Sequence, residues 1–253
     1  GNCNQVKDSL MINFTISPFV NAGIDLSSCK NNPVTTISGN VSGATTTGIW
    51  TGGAGSFNPG NTSLTTTYTP SSAELAAGSV SLTLNSTNNG NCNQVNDTIV
   101  INFTNPPLVS AGVDLFACKN NASTILGGVI SGATTTGVWT GGAGTFNPNN
   151  TALTATYTPS AAEIAAGSVT LTLNSSNNGN CNQVKDSIVI NFTNAPAVDA
   201  GLSLTVCKNN AAISLSGLVT GPTTTGIWSG AAGSFSPNNA ALNGTYTPSA
   251  SEL

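Results

Sequence analysis

The sequence predicts an all-β protein, a tandem array of antiparallel β-sandwich domains, and three observations carry that expectation. The hexapeptide Gly-Asn-Cys-Asn-Gln-Val begins at Gly1, Gly90 and Gly179, a step of 89 residues. Cys29, Cys118 and Cys207 keep the same step, as do Trp50, Trp139 and Trp228, and Tyr68, Tyr157 and Tyr246. A fixed period of this length marks a tandem array whose unit is one repeat. Within each period, short runs of alternating Val, Ile, Leu and Phe are separated by Gly, Asn and Pro, the pattern of strands and turns in a sandwich. Each period also holds two cysteines, which suits a unit small enough to gain from a covalent staple.

The first full period shows how each element is read. Val20 to Leu26 makes a short strand, Cys29-Lys30-Asn31-Asn32 a turn, and Val34 to Val41 a second strand. Gly48-Ile49-Trp50-Thr51 is a third, closed by Gly52-Gly53, and Ser56-Phe57-Asn58-Pro59 a short edge segment. Leu64 to Thr69 is a further strand with Thr65, Thr67 and Thr69 on one face. Pro70 to Gly78 reads as a helical turn, with Ser71 or Ser72 as its cap, Glu74 in its first turn and Gly78 at its end. Val80 to Thr87 alternates as the next strand, Asn89-Gly90 signals a hairpin, and the last strand follows Cys92 through Ile99, Ile101 and Phe103. Prolines at 18, 106–107 and 196 stop these last strands and mark the joints. The expected division is therefore an orphan last strand at 1–17, full repeats at 18–106 and 107–195, and a truncated repeat at 196–253. The joints are short and not Gly/Ser-rich, which favours stiff head-to-tail stacking.

Composition excludes several classes of function. Charged residues make up 6% of the chain, with no His, and five Lys against nine acidic residues give a net charge of −4. Neither a nucleic-acid footprint nor a polybasic membrane patch can be built from that set. No apolar run approaches the ~20 residues of a membrane helix, so no membrane insertion is expected in this segment. Without His or Arg, the usual general base and oxyanion clamp are missing, and the scattered carboxylates form no pair for glycoside hydrolysis; the expectation is no enzyme and no cofactor. The partial periods at both ends read as a window on a longer, exported protein.

The cysteines show no Cys-x-x-Cys spacing and have no His beside them, so they read as structural disulfides of an oxidising compartment. Counting four strand crossings between Cys29 and Cys92 returns the chain to the pole it left. The expected bridges are therefore Cys29–Cys92 and Cys118–Cys181, each spanning 63 residues. The rival scheme, Cys3–Cys29 with Cys92–Cys118, staples neighbouring repeats across the proline joint. Spacing alone does not fix connectivity.

The Cys-Lys-Asn-Asn run, the Gly-x-Trp-Thr/Ser-Gly strand, Tyr-Thr-Pro-Ser-Ala-Ala-Glu-Ile-Ala-Ala-Gly at Tyr157–Gly167 and the Gly-Asn-Cys element resemble PKD-like/Ig-like repeats. Such repeats fill giant surface proteins of Bacteroidota that are secreted by the type IX system, including gliding-motility adhesins of the SprB type. The resemblance covers the whole chain and implies an extracellular, cell-surface location. It also implies a structural stalk or filament segment that gives reach and strength. A self-assembling filament subunit, or a repeat that binds glycan, are the alternatives. The partners it implies are neighbouring repeats, other copies in a fibre and surface polysaccharide. It further marks Asp8-Ser9-Leu10, Asp97-Thr98-Ile99 and Asp186-Ser187-Ile188 as Asp-Ser/Thr-aliphatic acceptors, with Ser9, Thr98 and Ser187 as O-glycosylation sites.

Other side chains have plainer readings. Asp25 and Asp114 match in position, but Ser203 replaces them in the third period, and no unit has the carboxylate cluster calcium favours; a solvated strand-edge Asp is expected, with no metal. The tryptophans should pack over a core disulfide rather than offer a sugar platform. Phe57, Tyr68 and their equivalents belong to the core, with the Tyr hydroxyl partnered. Lys30, Lys119 and Lys208 read as solvated.

Overall fold

The computed structural model describes all of residues 1–253. By compactness the chain divides into two units. One holds Gly1–Val109, Ile130–Gly137 and Asn174–Lys185; the other holds Ser110–Val129, Val138–Leu173 and Asp186–Leu253.

The first full period lies inside the first unit and shows the architecture. Its strands are β1 (Phe19–Asn21), β2 (Leu26–Cys29), β3 (Thr35–Ser38), β4 (Asn40–Ser42), β5 (Thr47–Thr51), β6 (Ser56–Asn58), β7 (Thr65–Thr69), β8 (Ser79–Thr87) and β9 (Asn96–Thr104), with helix α1 (Ser72–Ala77) before β8. One sheet runs β2-β9-β8-β5 and the other β3-β7-β6, with β1 and β4 paired beside them. This is an all-β sandwich, and the next period repeats it.

There the strands are β10 (Leu108–Ser110), β11 (Leu115–Cys118), β12 (Thr124–Ile125), β13 (Val129–Ser131), β14 (Thr136–Thr140), β15 (Thr145–Asn147), β16 (Thr156–Thr158), β17 (Ser168–Ser176) and β18 (Lys185–Thr193), with α2 (Ala161–Ala166). Their sheets are ordered β11-β18-β17-β14 and β12-β16-β15. The last period carries only β19 (Ala197–Asp199), β20 (Ile213–Ser214), β21 (Leu218–Thr220), β22 (Ser234–Ser236) and β23 (Thr245–Thr247).

The fold departs from the sequence expectation in three places. The run from Val34 to Val41 is not one strand: Gly39 divides it into β3, which pairs with β7, and β4, which pairs with β1. The run from Val20 to Leu26 is not one strand: Gly23 sits at φ 97°, in the left-handed region, and breaks it into β1 and β2. A residue with Cβ is strained there. The break sends β1 to β4 and β2 to the other sheet, where it lies beside β9. The β2–β9 pairing is parallel, Leu26 opposite Ile101 and Cys29 opposite Thr104, so the sandwich is mixed rather than wholly antiparallel. The third departure concerns residues 1–17, which form no strand although they repeat the sequence of β9. β9 is flanked by β2 and β8. Residues 1–17 have no such neighbours, and Leu10 and Phe14 stand 87% and 92% exposed.

The core obeys the alternation. Leu82, Leu84, Ile99, Ile101 and Phe103 point inward from β8 and β9, against Val20, Ala22, Ile37, Val41, Trp50 and Tyr68. Trp50 is fully buried, with its indole Nε1 donating to the Leu64 carbonyl at 3.2 Å. It packs among aliphatic side chains, since no disulfide lies in the core beneath it.

Helix α1 is fixed by its ends. Ser71 caps it in a reciprocal box with Glu74, and Gly78 closes it at φ 87°. The Glu74 carboxylate reaches further than capping requires. Its Oε1 accepts from the Tyr68 hydroxyl at 2.7 Å and the Ala54 N–H at 2.7 Å, while Oε2 accepts from the Ser71 N–H at 2.7 Å. Tyr68 in turn accepts from the Gly55 N–H at 2.9 Å. Glu163 with Tyr157, and Glu252 with Tyr246, repeat the arrangement. Burial, and then the hydrogen bond to Glu74, push the Tyr68 hydroxyl up to about 12. Burial alone would raise Glu74, but the hydrogen bonds from Tyr68, Ser71 and Ala54 outweigh it and hold the carboxyl below its ordinary value.

Candidate functional site: an asparagine-clasped disulfide

The parallel pairing of β2 with β9 decides where each cysteine sits. Cys29 ends β2 opposite Thr104, at the far end of β9, whereas Cys92 precedes the start of β9 at Asn96. The length of β9, about 26 Å at ~3.3 Å per residue, lies between them. The expected Cys29–Cys92 bridge therefore does not form, nor does Cys118–Cys181, where β11 and β18 repeat the same parallel pairing. The count of four crossings fails because it takes Cys29 to open a strand, when it closes one. The rival scheme does not form either. Cys29 bonds Cys181 instead, 152 residues away, with the Cα atoms 4.9 Å apart. The bond runs from the first cysteine of one period to the second cysteine of the next. Cys92 and Cys118 remain half-buried thiols, and Cys3 and Cys207 are exposed ones.

Two short turns build the site around this bond, and asparagines from both hold it. On the Cys29 side, the Asn32 N–H donates to the Cys29 carbonyl at 2.9 Å, and the Ser28 hydroxyl donates to the Asn32 carbonyl at 2.9 Å. That tight turn presents Asn31 and Asn32 outward. On the Cys181 side, the Cys181 N–H donates to the Asn178 carbonyl at 3.0 Å. Buried Ser175 accepts the Val184 N–H on its hydroxyl at 2.9 Å, and its carbonyl accepts from Gln183 at 3.0 Å. Across the bond, Asn182 donates from its N–H to Asn31 Oδ1 at 3.0 Å and from Nδ2 to the Asn31 carbonyl at 2.7 Å. Asn31 returns a bond to the Asn182 carbonyl at 3.2 Å. Asn32 donates to the Asn180 carbonyl at 3.2 Å, and Asn180 to the Ser27 carbonyl at 2.8 Å. Cys29 is fully buried in the result.

Sequence reasoning misses these asparagines, since it takes Asn-Cys-Asn and Cys-Lys-Asn-Asn only as landmarks of the repeat. The signal is there: amides that can both donate and accept flank both cysteines in every period, as a polar clasp requires.

The other expected site residues are spread over the sandwich and do not converge. Thr98 lies exposed on β9 within 3.0 Å of the Thr83 hydroxyl, and Ser187 lies exposed on β18 within 2.8 Å of the Thr172 hydroxyl. Ser9 is exposed in the strandless stretch. The preceding acids have structural work: Asp97 Oδ2 accepts from the Ala22 N–H at 2.9 Å, and Asp186 Oδ2 from Ala111 at 2.8 Å. Asp25 is not simply solvated either. Its Oδ1 accepts from the Val100 N–H at 2.8 Å, as Asp114 does from Val189, so each acid ties the short first strands to the last one. Trp50, Trp139, Tyr68 and Tyr157 are all fully buried and present no platform for a sugar ring. No helix is long and apolar enough to cross a membrane.

No family model matches the chain, and no curated protein sequence matches it. Among solved structures it is similar to Sidekick-1 immunoglobulin domains 1–5, at 14% identity over 83% of this chain and 46% of that one, with a TM-score of 0.39. It is also similar to titin domains I67–I69, at 11% identity over 91% of this chain and 87% of that one, TM-score 0.42. Mouse cadherin-23 EC22–24 is similar at 13% identity over 94% of this chain and 90% of that one, TM-score 0.37. The chain spans about half the length of the two Sidekick-1 chains it matches.

Proposed function

We propose that this chain is a structural segment of an extracellular adhesive stalk or filament, in which repetition of the sandwich gives reach and disulfides give strength. The Cys29–Cys181 bond is the observation that carries this reading. It spans two successive periods and bypasses the Pro106-Pro107 joint, so tension along the chain is shunted around a stretch of 152 residues. A bond within one repeat would stabilise that repeat only; this one resists extension of the joint as well. The surface of Thr, Ser and Asn with few charges fits an exposed stalk. The sequence resemblance extends the reading to giant type IX-secreted adhesins of Bacteroidota, with Ser9, Thr98 and Ser187 as glycan acceptors that hydrate the surface. Intact-mass measurement on native material tests those acceptors, and an unmodified mass at all three defeats them.

Single-molecule pulling tests the mechanical reading. Residues 29 to 181 at ~3.6 Å each hold roughly 550 Å of chain that stays hidden while the bond is intact. Complete unfolding of the oxidised protein should fall short of the reduced protein by that length. Equal lengths in both states, or unfolding of the oxidised repeats at forces no higher than the reduced ones, refute the stalk.

A further inference from the structure

We propose that a groove on the first full repeat, beside the Cys29–Cys181 bond, binds a neutral disaccharide, and that the site is complete only while the bond joins the two periods. This goes beyond the stalk reading, which asks nothing of the groove.

The groove is made of two adjoining cavities that share Thr36. One, of about 250 Å³, lies between Ser27, Asn32, Val34 and Thr36 of the first full period and Asn180 of the second. The other, of about 230 Å³, continues past Thr36 to Ala22, Ile24, Leu26 and Ile99. Strands β2 and β3 are edge strands of the two sheets, and both cavities open between them. No charged residue lines either one.

The clasp decides the chemistry of the first cavity. Asn32 Nδ2 donates to the Asn180 carbonyl at 3.2 Å, and Asn180 Nδ2 to the Ser27 carbonyl at 2.8 Å. Each amide thus keeps its Oδ1 without a partner, and the Ser27 and Thr36 hydroxyls make no hydrogen bond within the protein. Two acceptors that cannot donate, beside two hydroxyls that do both, call for a ligand rich in hydroxyl donors. An anion would face two carbonyl oxygens and a cation would find no carboxylate, so a charged ligand goes unmatched. A sugar hydroxyl supplies the donor to Oδ1 and accepts in turn from Ser27 or Thr36. The second cavity is apolar. Ile24 stands 81% exposed at its rim, and Leu26 and Ile99 offer carbon to the C–H face of a second ring. Together the cavities fall inside the roughly 300–1,000 Å³ of small-molecule sites, and a polar half beside an apolar half fits two linked rings.

The second full period is an internal comparison. Phe116 stands there in place of Ser27, and Ile125 in place of Thr36. The frame is the same, since β11 lies parallel to β18 as β2 lies parallel to β9. The sandwich therefore forms without either hydroxyl, and the fold does not account for them in the first.

Asn180 ties the groove to the bond. It adjoins Cys181, so reduction that frees this turn takes an acceptor out of the groove. By reciprocity, a bound sugar makes the bond harder to reduce.

The test is titration of the 15N-labelled full chain with cellobiose, maltose and lactose, with glucuronic acid and glucosamine as charged comparators. At least one neutral disaccharide should shift the amides of Ser27, Asn32, Thr36 and Asn180 saturably, with a dissociation constant on the order of 1 mM because no aromatic ring stacks on the sugar. No shift at these residues with any of the three overturns the proposal, as does equal or tighter binding of a charged sugar. Thr36→Ile copies the folded second period and should weaken binding about tenfold, the effect of one lost hydrogen bond. Native affinity in that variant refutes the site. At a sugar concentration about ten times the dissociation constant, half-reduction of Cys29–Cys181 should need roughly tenfold more dithiothreitol. An unchanged midpoint would mean that the second period adds nothing to the site, which also overturns the proposal. The Thr36→Ile protein should keep the roughly 550 Å hidden length, so a failed titration sinks the groove and leaves the stalk reading standing.

Discussion

Replacing Tyr68 with Phe isolates one hydroxyl at the centre of the Tyr–Glu–helix-cap network while leaving the ring's packing in place. The hydroxyl donates to Glu74 at 2.7 Å and accepts from Gly55 at 2.9 Å, and the ring lies 4.9 Å from Phe57. Losing a bond to a carboxylate and one to an amide, beneath a fully buried ring, should cost about 2–3 kcal/mol. Glu74 keeps its bonds from Ala54 and Ser71, so helix α1 stays capped and the damage is confined to the 53–74 corner. Hydrogen exchange of peptides covering that corner reads the loss. Opening should speed up by roughly 30- to 150-fold near pH 7, since each 1.4 kcal/mol is a factor of ten.

The same change has a signature in alkali. The folded Tyr68 holds its proton to about 12, whereas an unfolded tyrosine releases it near 10. The stability this group contributes is complete below pH 10 and disappears as pH climbs through 10 to 12. With solvent screening allowed for, native protein should lose about 1 kcal/mol from this source by pH 11, and Tyr68→Phe should not. The gap between the two proteins therefore narrows as pH rises. A variant within about 0.5 kcal/mol of native at pH 7, with the same alkaline slope, would show that the network is incidental.

Single contacts give three more expectations. Leu84→Ala removes a fully buried side chain that fills the space beside Gly39 and Gly48, and should cost about 3–5 kcal/mol by thermal unfolding. Asp97→Ala frees the Ala22 N–H and should loosen β1, seen as at least fivefold faster exchange at residues 19–22, with β5 unaffected. Glu252 is held at about 2 by the Tyr246 hydroxyl and by backbone donors, so its contribution is complete above 4.5, the ordinary value, and is lost as pH falls toward 2. Acid titration of that carboxylate by NMR checks it, and a midpoint near 4.5 would refute the geometry of the last period's corner.

Much of the sandwich was legible because its signals are local. Alternation at Leu82 and Leu84, the Ser71–Glu74 cap and Gly78 as terminator are each set within a few residues, and the structure has them where the sequence puts them. What was not legible is non-local. Whether β2 runs parallel or antiparallel to β9 depends on the break at Gly23, and nothing in the alternation of Val20 to Leu26 shows that the strand changes sheets there. The expected disulfides inherit that error, because one reversed strand exchanges the poles at which cysteines meet. The role of Asp25 was hidden for the same reason: its partner, Val100, is 75 residues away.

The placement of the bond has a consequence for how such a chain carries load. In a sandwich stapled within itself, each repeat is as strong as its own bridge and each joint as weak as its own linker. Here the bridge begins in one period and ends in the next, so no joint inside its span can part without breaking it or pulling on both flanking folds. Closing a loop of 152 residues is worth about 5 kcal/mol in the chain-entropy model, more than a bridge of 63 residues, but the larger effect is on where strain goes. The asparagine clasp answers a second need. A bond at a joint sits near solvent, and the five hydrogen bonds among Ser27, Asn31, Asn32, Asn180 and Asn182 satisfy turn groups that would otherwise have to be hydrated as the joint closes. Replacing Asn31 and Asn182 together by Ala should leave the bond able to form yet make it easier to reduce. Half-reduction at a lower concentration of dithiothreitol than native protein needs is the expected result, and an unchanged concentration would mean that the asparagines merely border the bond.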